Sequence, residues 1–136
     1  MELDKSLLFK IKDMNCESRT LHDSDVSKEY VDGLKKQTKY IMNIPKNVSI
    51  LSQKRYVKDI HCSKNNTICG LFINNKLVGS TGIQSSTSYL KYIDVPATFV
   101  STIGILLFDK NYRGMKLGTS LVWLSTYLFH NCVQAE

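Results

Sequence analysis

Leu7, Phe9 and Ile11 alternate with Leu8, Lys10 and Lys12, the period-two pattern of a strand, placed over Leu7 to Met14. The polar stretch that follows ends in His22-Asp23-Ser24-Asp25, whose side-chain oxygens suit a helix N-terminus. Val26, Tyr30, Val31 and Leu34 then recur on one helical face, and Gly33 with Lys35-Lys36 predicts an end nearby. Asn43-Ile44-Pro45 reads as a break. Ser49 is positioned to cap a second helix running to about Cys62, with Ile50, Val57 and Ile60 facing inward. Two apolar runs, Thr67 to Ile73 and Leu77 to Ile83, flank Asn74-Asn75-Lys76 and predict a hairpin. Gly79 and Gly82 mark a bulge or a close backbone approach in its second strand.

Gln84 to Asp94 is a polar, aromatic connection in which Tyr89 and Tyr92 could line a pocket or cover a sheet edge. Ala97 to Phe108 is rich in Val, Ile, Thr and Phe and apolar on both faces towards its end, the pattern of a central, doubly buried strand. Thr119 to Cys132 reads as a helix with Leu117, Leu121, Leu124 and Leu128 at helical spacing. Val122, Trp123, Tyr127 and Phe129 leave it apolar nearly all round, so it is expected to be covered by further structure or by another copy of the chain.

Composition narrows the classes. At 136 residues the chain fits one domain, and 43% hydrophobic with 22% charged residues is a globular mix. The longest apolar stretch, Phe99 to Phe108, is about half of what a bilayer span needs. No N-terminal segment reads as a signal peptide. Cys16, Cys62, Cys69 and Cys132 are scattered without a C-x-x-C pair, so neither a disulfide scaffold nor a zinc ribbon is suggested, and a reducing, cytoplasmic setting is expected. His61-Cys62 and His130-x-Cys132 match no usual metal spacing, and no metal is expected. The formal charge of +6 is spread along the chain, so net charge alone does not choose among nucleic acid, an anionic membrane surface and an anionic small molecule. With no dense Lys/Arg tract, neither a nucleic-acid nor a membrane partner is expected.

The local chemistry lies after the apolar strand. Asp109-Lys110-Asn111-Tyr112-Arg113-Gly114-Met115-Lys116-Leu117-Gly118-Thr119 joins that strand to the helix. Unpaired N–H groups at a helix N-terminus, glycines that admit close approach, and three cations make a recipe for binding phosphate. It is neither a P-loop nor a G-x-G-x-x-G fingerprint, and an ordinary turn with solvated cations would look similar.

The same segment resembles the acetyl-CoA loop of the GNAT N-acetyltransferase superfamily, Gln/Arg-x-x-Gly-x-Gly/Ala after a long central strand. Ser101 to Phe108 is similar to that strand, Leu117 to His130 to the following helix, and Gly70 to Gly79 to the family's preceding hairpin. Residues Ser24 to Val31 and Ser52 to Val57 resemble the branch that acts on protein N-termini and amino-sugar nucleotides.

The resemblance implies an α/β fold with a GNAT-like mixed sheet in the order β-α-α-β-β-β-α, over a single domain spanning residues 1–136. It implies acetyl-CoA as acetyl donor and a primary amine as acceptor: an amino-sugar nucleotide, a protein N-terminus or a small amine. Leu106, Leu107 and Phe108 would offer backbone groups to the pantetheine arm. Arg113 and Gly118 match the first and last positions of the loop motif, and Gly114, Met115, Leu117 and Thr119 would surround the pyrophosphate through their amides. Lys116 stands where the family usually has glycine; it keeps the amide and adds charge, but its Cβ crowds the site if close approach or positive φ is required. In the family the resemblance implies, a full domain continues past this helix with a further strand, a helix and a strand pair, so a domain truncated after the helix, or one completed by another copy, is expected. The strand offers only Ser101 and Thr102 near the reacting centre, and His22, His61 and His130 fall at helix boundaries, so no catalytic base or acid is assigned. The alternative is an inactive module that binds coenzyme A weakly, or one that oligomerises through the C-terminal helix.

Overall fold

The computed structural model describes residues 2–3, 5–37, 47–64, 66–86, 91, 94 and 100–133. Strands β1 (Leu7–Ile11), β2 (Met14–Thr20), β3 (Asn66–Ile73), β4 (Lys76–Ser86) and β5 (Val100–Leu107) form one sheet in sequential order. Helices α1 (Lys28–Gln37) and α2 (Ile50–Cys62) lie between β2 and β3, and α3 (Leu117–Val133) follows β5. The α/β class and the element order match the expectation, with β2 as an addition. All four strand pairings described are antiparallel.

The strand expected over Leu7 to Met14 is a hairpin. It turns at Lys12-Asp13, where Lys12 takes φ 54, and continues as β2 through residues that read as a polar loop. Its inward positions, Cys16, Ser18 and Thr20, are small and alternate with Glu17 and Arg19. The period is present, but weakly apolar residues carry it.

The acidic run before α1 is also reassigned. Asp23–Asp25 makes one 3-10 turn, and α1 begins at Lys28, where Ser27 Oγ accepts the Tyr30 amide at 3.2 Å. Asp25 instead takes a fork from Arg19, 2.7 and 2.8 Å, and the His22 amide at 2.8 Å. Burial raises the Asp25 carboxyl, but the Arg19 and His22 hydrogen bonds outweigh it and hold the group below its ordinary value. Ser49 caps α2 as expected, accepting the Ser52 amide at 3.1 Å. Val57 and Ile60 are buried with Gln53, whereas Ile50 is exposed. The Asn43-Ile44-Pro45 break lies outside the described residues.

Asn74 and Asn75, at φ 48 and 64, form the two-residue turn between β3 and β4. Two successive left-handed residues match the twist of a tight hairpin. A register shift at Leu71/Phe72 leaves Val78 as the extra residue on β4.

Helices cover both faces of the sheet. Val26, Tyr30, Val31 and Leu34 of the α1 region and Val57 and Ile60 of α2 pack on Ile68 and Phe72, while Leu117 and Leu121 of α3 pack on Leu71, Ile73 and Val78. The doubly buried strand is therefore β3, whose residues from Thr67 to Ile73 are all buried. β5 was expected in that role, but it has a neighbour only on the β4 side among the described residues, and Ile103 and Ile105 are 39% and 43% exposed. Alternation of apolar residues reports local shape; burial on both faces depends on sheet position. On α3, Leu117, Leu121, Leu124 and Ser125 are buried, whereas Trp123 and Tyr127 stack on each other at 5.6 Å and lie 65% and 46% exposed. The side chains of Leu128 and Phe129 lie outside the described residues. No described helix is long and apolar enough to cross a membrane.

Candidate functional site

The loop that carries the motif is built from the end of β5. Asp109 Oδ1 accepts the Asn111 amide at 3.0 Å and holds a 3-10 turn over Lys110–Tyr112. Lys76 donates to the other carboxylate oxygen at 2.8 Å. That hydrogen bond, joined by the Asn111 amide, holds the Asp109 carboxyl below its ordinary value. Arg113 closes the turn with its amide on Lys110 O, and the chain then passes through Gly114 at φ 78 and Lys116 at φ 59 into α3. Tyr112 and Met115 pack beneath the loop against the α3 core, and Leu117 is buried in it, so the loop is anchored from below.

Among the described residues, the amides from Gly114 to Thr119 have no acceptor. The last three open α3, where the first-turn N–H groups cannot bond within the helix. Gly114 and Lys116 take left-handed φ on either side of Met115 just before α3, and acceptorless amides gathered at a helix N-terminus favour an anion. A Cβ added at Gly114 or Gly118 meets nothing within 4 Å, so the space where a side chain would stand at these two positions is open. Lys110, Arg113 and Lys116 are exposed and have no carboxylate partner among the described residues. These residues fit a phosphate or pyrophosphate.

Lys116 occupies the left-handed region, the circumstance in which glycine is the favoured residue. Replacing it by glycine should raise stability by about 0.5–1 kcal/mol, after the entropy glycine adds to the unfolded chain. A shift of the urea midpoint to higher concentration checks this. An unchanged or lower midpoint counts against the strain.

The three residues at the end of β5 are placed differently from one another. The Phe108 amide donates to Val78 O at 3.2 Å, so Phe108 and Leu106 turn their backbone groups to β4. Leu107 and Ile105, alternating with them, turn theirs to the open edge of the sheet. Side chains alternate too: Leu107 packs on the α3 core, while Leu106 and Phe108 pack on the α1–α2 core, Phe108 edge-on to Tyr30 at 5.4 Å.

A cavity of about 590 Å³ opens between α1, α2 and the β4–β5 face. Tyr30, Gln53, Tyr56, Ser80 and Leu106 are among its lining residues. Burial pushes the Tyr30 phenol up to about 12, against a hydrogen bond with Ser80, and burial also raises Tyr56. Both phenols stay protonated at neutral pH and can donate or accept a hydrogen bond. None of these residues stands out in the sequence: Tyr30 reads as part of one helical face, and only the packing of four separate elements brings them together.

The histidines lie elsewhere. His61 Nε2 is 2.7 Å from Leu21 O, His22 Nδ1 is 3.7 Å from Glu2, and His130 is exposed on α3. Thr102 Oγ1 donates to Gln84 O at 3.3 Å. Tyr89 and Tyr92 lie outside the described residues. Among the described residues no three His, Cys, Asp or Glu side chains gather as a metal site would require.

The fold, antiparallel strands with two helices on one face and a strand–loop–helix unit with its amides exposed, is GNAT-like. It is similar to glucosamine-6-phosphate N-acetyltransferase from Arabidopsis thaliana, with TM-score 0.61 and 18% identity over 88% of this chain and 76% of that one. A GNAT-family acetyltransferase from Staphylococcus aureus matches with TM-score 0.59 and 18% identity, over 85% and 78% of the two chains. An uncharacterized protein from Bacillus halodurans matches with TM-score 0.63 and 14% identity over 93% of this chain, which spans 65% of that protein's length. The sequence itself matches no protein-family model and no curated protein.

Proposed function

We propose that the protein is an acetyl-CoA-dependent N-acetyltransferase of the cytoplasm that transfers an acetyl group to a primary amine. The observation that carries this reading is the run of acceptorless amides from Gly114 to Thr119, set at the head of α3 in a GNAT fold. These amides, with Arg113, Lys110 and Lys116, bind the pyrophosphate of the donor. Leu107 offers its N–H and C=O along the open edge of β5, where an extended amide chain pairs as an added strand would. Leu106 and Phe108, with backbone groups turned to β4, shape that edge from behind. Bound acetyl-CoA supplies the thioester carbonyl. The amine acceptor enters from the α1–α2 side, through the cavity beside Leu106. With no carboxylate or histidine lining that cavity among the described residues, the amine's proton passes to water held by Tyr30, Ser80 and Gln53.

The exposed Trp123–Tyr127 stack favours a second reading, a coenzyme A-binding module that self-associates through α3 without turnover. Calorimetry with acetyl-CoA, followed by thiol release over a panel of amines, separates the two. The acetyltransferase reading requires both binding and turnover, and binding without turnover supports the module. Gly118→Asp is the informative control. Its side chain enters open space, and a carboxylate at a helix N-terminus favours the helix, so the fold is kept while an anion is repelled. Acetyl-CoA affinity should fall at least tenfold with no loss of thermal stability; unchanged affinity places the phosphates elsewhere.

A further inference from the structure

The cavity between α1, α2 and the β4–β5 face has a floor made in part by a pair of facing glycines. Gly82 of β4 and Gly104 of β5 are cross-strand partners. A Cβ at Gly104 would meet nothing within 4 Å, and one at Gly82 would only touch Thr67 O at 3.9 Å. The two strands thus present a flat strip of bare backbone where side chains would normally stand. Tyr30 and Tyr56 rise beside it, Leu34, Ile68 and Leu106 supply apolar wall, and Gln53 and Ser80 supply neutral hydrogen-bonding groups.

Every described residue that lines this cavity is formally uncharged. Lys54 and Arg55 stand between the lining positions Gln53 and Tyr56 on α2, but neither lines the space. A phosphorylated acceptor brought in here would give up its hydration with no cation among the described lining residues to replace it, and the further ammonium groups of a polyamine, beyond the one amine that faces the donor, would do so with no carboxylate there. Either desolvation opposes binding. A flat apolar body, in contrast, gains by covering both the glycine strip and the tyrosine rings.

We infer that this cavity takes a primary amine carried on an uncharged, flat body, of the arylalkylamine class, with the ring on the Gly82–Gly104 strip and the amine towards Leu106. The orientation of the amine rests on the acetyltransferase reading; the class of ligand rests on the cavity alone.

Gly104→Val tests it. Neither backbone strain nor a clash opposes valine at that strand position, and its methyl groups fill the strip. Ligand-observed NMR with phenethylamine, glucosamine-6-phosphate and spermidine is run on the full chain, on Gly104→Val, and on Tyr56→Leu as a second wall variant. Phenethylamine should bind saturably and lose more than tenfold in affinity in Gly104→Val and about fivefold in Tyr56→Leu. The other two amines should not displace it. The inference is overturned if phenethylamine fails to bind, binds equally to both variants, or yields to glucosamine-6-phosphate or spermidine. Acetyl-CoA binding is measured separately: phenethylamine binding without it would sink the acetyltransferase reading and leave the ligand class standing.

Discussion

Leu121→Ala should lower the unfolding free energy by about 2–5 kcal/mol, the range for emptying a fully buried leucine site. Leu121 is wholly buried and, with Leu117, joins α3 to Leu71, Ile73 and Val78 of the sheet. Its removal leaves a cavity between helix and sheet that neighbouring β-strand backbone cannot close. The loss matters beyond stability, because α3 carries the acceptorless amides of Leu117, Gly118 and Thr119 that complete the proposed anion site. A shift of the urea midpoint at constant slope is the measurement. Trp123→Ala serves as the comparison: its ring is 65% exposed and should change stability by under about 0.5 kcal/mol. Similar values for the two variants would mean that α3 does not dock through its leucine face.

Gly79→Val should cost about 3 kcal/mol, because the side chain has nowhere to go. An added Cβ lies 2.8 Å from the Leu106 backbone oxygen and 3.3 Å from Cδ1 of both Leu107 and Leu121. Flexible side chains could move by a few tenths of an ångström, but a carbonyl held in the β4–β5 ladder cannot. The strands must part at the Gly79–Leu107 pair, the segment whose outer edge faces the proposed donor arm. Denaturation should therefore show lost stability, and acetyl-CoA binding should weaken with it. Full retention of both would show that β4 and β5 are not so closely apposed there.

Gly79 is a place where the sequence already pointed to a close approach, since a glycine inside an apolar strand is costly without a reason. The Asn74-Asn75 turn and the Ser49 cap were legible for a similar cause: each needs a residue type whose local chemistry suits few alternatives. The loop from Asp109 to Thr119 reads from its residues as a phosphate cradle or as an ordinary turn with solvated cations; the family resemblance chose the first, and it set Lys116 at a glycine position, where the backbone takes φ 59. What failed depends on distant neighbours. β2 hides its inward face in Cys16, Ser18 and Thr20, and the apolar run of β5 does not reveal that among the described residues it has one strand neighbour rather than two. The cavity is the clearest case. Tyr30, Gln53, Ser80 and Gly104 stand on four different elements, and each has an ordinary local explanation.

The central claim is that the amides from Gly114 to Thr119 bind the phosphates of a coenzyme A thioester. Backbone amide resonances of the isotopically labelled chain, followed as acetyl-CoA is added, address it directly. The account predicts saturable shifts at Gly114, Lys116, Gly118 and Thr119, and at Ile105 and Leu107 on the open edge, with smaller shifts at Leu106 and Phe108, whose groups already face β4. Millimolar acetyl-CoA that leaves residues 114–119 unmoved would contradict it.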